Sequence, residues 1–192
     1  MKKIAIAAAC LVVFSALGQK KPAGWPNEPT AVFGVPIGEK LENDRIGQCG
    51  GVKADAEKNP VAVCAMERPG YGGIIIAGFP VPVFDGGYID RDDGVVTSII
   101  LHGKHSNYRD IKALLMERYG KPTRTWTEKL QNKMGATFSS EALDWEGKSV
   151  TLKLRERSDT VDQTSVFFTS QSHLNKKATE REKSLKESAT KM

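Results

Sequence analysis

Cys49 and Cys64 stand with fourteen residues between them, and three chemistries use cysteines in this way: metal ligation, nucleophilic attack and disulfide closure. Zinc wants four ligands, commonly from close-spaced Cys-x-x-Cys pairs. Neither cysteine has such a neighbour, and His102 and His105 fall in a different segment. A catalytic thiol wants a base beside it, and no histidine lies within thirty residues of either cysteine in the chain. The fragment His102-Gly103-Lys104-His105 is the most metal-like in the sequence. In a strand, residues three apart point to opposite faces, so ordinary strand-end histidines are expected.

Carboxylates give the next candidates. Asp90, Asp92 and Asp93 precede Gly94, but a calcium loop places its glycine sixth and an acid twelfth, where this chain has Val95 and Leu101. A solvated Asp-Gly turn between strands is the expected reading. Asp144 and Glu146 could form an acid and base pair, yet they alternate on the expected solvent face, where nothing would drive their pKa values apart. There is no G-x-S-x-G elbow, H-E-x-x-H pair, phosphate loop or dinucleotide fingerprint. No catalytic residue, metal site or cofactor is expected.

The compartment bears on the cysteines. Lys2 and Lys3, the apolar run Ile4 to Phe14, and the small residues of Ala16-Leu17-Gly18 read as a bacterial export leader over residues 1–18. A periplasmic or secreted protein follows, with cleavage after Gly18. Cleavage removes Cys10 and leaves two cysteines in an oxidising setting, which favours a Cys49–Cys64 disulfide. Closing such a loop contributes about 3 kcal/mol.

The formal charge of +5 invites a nucleic-acid reading, but Lys2 and Lys3 leave with the leader and residues 175–192 carry a net +3. The body between them is neutral, which argues against phosphate binding. The basic tail offers at most a weak contact with an anionic envelope surface.

The elements that must position any site are legible in part. Residues 19–32 form an extended, proline-rich lead-in in which Trp25 covers a core edge; residues 33–174 form one globular domain; residues 175–192 form a charged, solvated tail. Glu39 to Ile46 suggests two turns of helix. Val61 to Met66, Gly73 to Phe79 and Val95 to His102 are short β-branched runs that read as strands, while Pro80 and Pro82 mark an edge or an excursion. The spacing of Tyr108, Ile111, Leu115 and Tyr119 predicts an amphipathic helix over 107–119, capped by Asn107 or Ser106 and stopped by Gly120 and Pro122. Period two then returns, with a meander from Ala136 to Ser170. The expectation is a two-layer α+β fold: a mostly antiparallel sheet, one well-defined helix, a C-terminal β-meander and one disulfide.

By elimination the sequence points to an exported, non-catalytic envelope protein that binds an envelope or secreted protein partner, as an inhibitor, immunity-type protein or assembly subunit. Its expected contact surface is the loop with Pro80, Pro82, Phe84 and Tyr88. A small-ligand or lipid carrier, with the strands of Gly73 to Leu101 as cavity walls, is the alternative. An unrecognised wall-directed hydrolase is the second.

Overall fold

The structure is a computed structural model that describes residues 25–42, 46–49, 62–66 and 73–190. Residues 1–24, which include the expected leader and Cys10, lie outside the described residues. Short runs of β-branched and aromatic residues fold into strands because their branched side chains pack well on a pleated surface. Eight of them make one antiparallel sheet: β3 (Cys64–Met66), β4 (Ile74–Ala77), β5 (Gly86–Asp92), β6 (Val95–Lys104), β7 (Arg124–Gln131), β8 (Thr137–Glu146), β9 (Val150–Arg155) and β10 (Gln163–Ser170). Their spatial order is β3-β4-β5-β6-β10-β9-β8-β7. Two four-stranded meanders thus meet where β6 pairs with β10, Leu101 opposite Val166 and Ile99 opposite Phe168. Ahead of them, β1 (Ala31–Val32) and β2 (Val35–Pro36) form a separate small hairpin. The two-layer α+β class, the C-terminal meander and the disulfide agree with expectation.

The helix that covers the sheet is α1 (Tyr108–Tyr119), and the stripe read from the sequence is the buried one: Tyr108, Ile111, Leu115 and Tyr119. It comes close to β6 because Gly103 has no Cβ; a methyl there would press into the Val83 carbonyl oxygen and the Ile111 side chain. Asn107 occupies the N-cap position but makes no capping bond, its amide donating instead to the Val83 carbonyl at 3.3 Å. At the other end two indoles take up helix carbonyls. Trp25 Nε1 donates to Tyr119 O at 2.7 Å and Trp145 Nε1 to Gly120 O at 2.8 Å. Those carbonyls have no partner further along the helix, so each indole satisfies a group that burial would otherwise penalise. Trp25 is buried at a core edge, as expected.

Three local expectations change. Residues 39–42 do not start a helix: Gly38 and Leu41 donate to Val96 and Gly94 carbonyls, and Val96 donates to Glu39. Since β10 ends at Ser170, the first residues of β6 need another partner, and this extended segment supplies it. Gly86 to Asp92 is a full internal strand, paired to β4 and β6 on its two sides. Pro80 and Pro82 do stay outside the strands, and Asp93 and Gly94 make the β5–β6 turn with φ of 51° and 79°. The tail residues Asn175 to Ala189 are exposed, as expected, but they belong to a helix, α2 (Gln171–Ala189), supported by the Glu182–Lys186 pair at 2.8 Å.

The disulfide joins Cys49 to Cys64 with Cα atoms 5.0 Å apart. Beside it, Cys49 N–H donates to Ala65 O and Ala65 N–H to Gly47 O, so residues 47–49 lie along the short edge strand β3.

Candidate functional site

A cavity of about 690 Å³ lies between α1, the β1–β2 hairpin and the centre of the sheet. Leu101 of β6 and Phe168 of β10 form its floor, Leu114, Leu115 and Tyr119 of α1 its roof, and Val32, Phe33, Val81 and Phe84 its side. Glu117 and Arg118 are the charged residues on its lining, and both are exposed at the surface of α1. Apolar walls with a few polar groups at one side are the usual make-up of a small-molecule pocket, and the volume falls in the range of roughly 300–1,000 Å³ that such pockets have.

One wall is built at a conformational cost. Phe33 has φ of 51° and Gly34 of 81°, so a bulky aromatic holds a left-handed position that favours glycine. The turn aims its ring at Phe79 and Phe84, with centroids 5.6 and 6.2 Å away, while Phe79 and Phe84 are themselves 5.9 Å apart. The three ring contacts, two edge-on and one tilted, make a closed aromatic corner.

The loop proposed for contacts with a partner is therefore placed differently from expectation. Phe84 is 7% exposed and belongs to the core and the cavity wall, because the chain after Pro82 turns inward to begin β5. Tyr88 lies on the sheet face away from α1, half-buried, its ring 5.6 Å from that of His102; its neighbour Ile89 points into the core. Pro80 and Pro82 are exposed. The four residues do not form one surface. The stretch from Gly73 to Leu101 supplies Val81, Phe84 and Leu101 to the cavity, and α1, the β1–β2 hairpin and Phe168 supply the parts of the apolar wall that sequence reasoning had not assembled.

The two histidines serve separate polar contacts. His102 Nδ1 lies 3.0 Å from Ser165 Oγ and 2.6 Å from Gln163 Nε2, and burial lowers its pKa. His105 Nε2 lies 3.0 Å from Glu156 Oε1. Asp144, read as a solvent-face residue, is 1% exposed. It is covered because Arg124 and Arg155 reach it at 3.0 and 2.8 Å while both guanidinium groups stack on Trp126, 4.4 and 4.8 Å from its ring. Glu146 is half-buried.

A second charged cluster fastens α1 to the sheet. Tyr108 Oη donates to Glu141, and Lys112 Nζ donates to both Glu141 oxygens at 2.8 and 2.7 Å. Glu156 in turn accepts from Glu141 N–H at 2.7 Å and binds His105. Burial raises the Glu141 carboxyl, but the hydrogen bonds from Lys112 and Tyr108 outweigh it and its pKa lies below the ordinary value. Tyr108 is held above its ordinary value, first by burial and then by Glu141. A lowered carboxylate stabilises the fold above its unfolded pKa, and that contribution disappears as pH falls through the folded one. Glu141→Gln is thus expected to lower Tm at pH 7, and the gap between variant and wild type is expected to close as pH drops from 5 toward 3. Calorimetric scans at each pH check it; a gap that stays constant would mean the carboxylate charge contributes nothing.

No family model matches the chain, and no curated protein matches it. Among solved structures there is a match to a rolling circle replication initiator protein from Geobacillus stearothermophilus, 11% identical, spanning 70% of this chain and 72% of that one, with a TM-score of 0.23. Nothing found in the comparisons supports the expected exported module that binds a protein partner. The partner-binding reading is withdrawn. At a TM-score of 0.23 the initiator lends this chain neither its fold nor its activity.

Proposed function

We propose that this protein binds a small, largely apolar molecule in the cavity beneath α1. The observation that carries the reading is the cavity itself, about 690 Å³ with walls from Leu101, Phe168, Leu115 and the Phe33 ring, within the size and make-up of small-molecule sites. The reading involves no catalytic step. Residence in an oxidising compartment belongs to the same proposal, and the Cys49–Cys64 bond suits it.

The test uses N-phenyl-1-naphthylamine, a neutral apolar fluorophore that brightens on leaving water. The protein is expected to bind it saturably. Phe33→Gly removes the wall, and affinity should fall about tenfold, or about 1.4 kcal/mol. Leu114→Trp, which fills the cavity from the half-buried side of α1, should block binding. Absence of saturable binding by the wild type, or unchanged affinity in both variants, would refute the proposal.

A further inference from the structure

We infer that the ligand is a long-chain monocarboxylate, its alkyl chain in the cavity and its carboxylate at Arg118 and the hydroxyl of Tyr119. The inference rests on the cavity reading above and adds the chemistry of the head group.

The cavity has one polar corner on its roof. Tyr119 is 6% exposed, its ring held edge-on by Trp25 and Phe168 at 5.8 Å each. Arg118 leans over that ring, with its guanidinium carbon 5.7 Å from the centroid, and both residues line the cavity. Burial raises the Tyr119 pKa and the neighbouring Arg118 opposes it, so the phenol remains a protonated donor beside a cation. Among the described residues no carboxylate forms an ion pair with Arg118. A guanidinium and an O–H at the margin of an apolar cavity form a donor set for a carboxylate, which accepts from both and takes charge-assisted bonds.

Two alternatives in head-group chemistry differ measurably. A neutral alcohol keeps the chain contacts and loses the charge assistance. An amine would turn to Glu117, which also lines the cavity but lies about 100° round the helix from Arg118. Each methylene buried adds a similar increment whatever the head, so chain length sets affinity and the head sets selectivity.

Displacement of N-phenyl-1-naphthylamine by dodecanoate, dodecanol and dodecylamine at pH 7.5 tests the inference. Dodecanoate should displace about tenfold more strongly than dodecanol, the gain expected of one charged hydrogen-bonded contact. Arg118→Gln should erase that preference, read as the ratio of dodecanoate to dodecanol displacement within each protein. Equal displacement by acid and alcohol, stronger displacement by the amine, or a preference that survives in Arg118→Gln overturns the head-group assignment and leaves the cavity reading standing. No binding of the fluorophore or of any of the three refutes both.

Discussion

Trp145→Ala is expected to cost about 3–5 kcal/mol, the range for deleting a large aromatic from a core, and to lower Tm by roughly 10 °C for a chain of this size. Trp145 is 0% exposed and sits on β8 under the C-terminal end of α1, where its indole N–H donates to Gly120 O. Two effects combine in the alanine variant: a void that the sheet and helix cannot close, and a buried carbonyl without its donor. Trp145→Phe separates them. It keeps most of the ring volume and loses the hydrogen bond, so a loss of about 1 kcal/mol is expected. Denaturant titration of both variants reads the difference. Equal losses would show that the carbonyl contact, and not the ring volume, dominates; a loss below about 1 kcal/mol for alanine would contradict the packing described here. Because α1 roofs the cavity, Trp145→Ala should also weaken fluorophore binding, whereas Trp145→Phe should leave it near wild type.

Reduction of the Cys49–Cys64 bond is expected to remove about 3 kcal/mol, the chain-entropy value for a loop of fifteen residues. The bond ties residues 47–49 to β3, which has only three residues and pairs on its other side with β4 alone. Without the tie, the short edge strand has little to hold it. The denaturation midpoint should fall in dithiothreitol, and the Cys49→Ala, Cys64→Ala double variant should show the same midpoint with and without reductant. A wild-type midpoint that reductant leaves unchanged would show that the loop folds without its bond. The cavity is lined by Ala62, two residues from Cys64, so reduction should also loosen ligand binding at that side.

Helix α1 was legible because its signal is local: Tyr108, Ile111, Leu115 and Tyr119 repeat at helical spacing, and Gly120 and Pro122 stop the run. The strands of the second meander were legible for the same reason, with Val150, Leu152 and Leu154 alternating against polar neighbours. Strand β5 was not, because its seven residues include two glycines and two acids, and it is a strand only through its partners on both sides. Glu39 to Leu41 looked helical by composition and is instead drawn out by the unpaired start of β6. Phe84 looked like an exposed loop aromatic beside two prolines; what buries it is Phe33 from a hairpin about fifty residues earlier in the chain. No local pattern could have shown that contact.

The sequence by itself determined the class of fold, the covered face of α1, the pairing of two cysteines and the neutral body, since each depends on periodicity, residue type or charge within reach of a few neighbours. The tertiary structure alone decided that β6 joins β10, that Asp144 lies buried beneath two arginines, and that a left-handed phenylalanine, a helix and two central strands enclose one cavity. Those are long-range contacts. Their free energy depends on which surfaces meet in space, and a sequence read in windows carries each surface separately without saying which will meet.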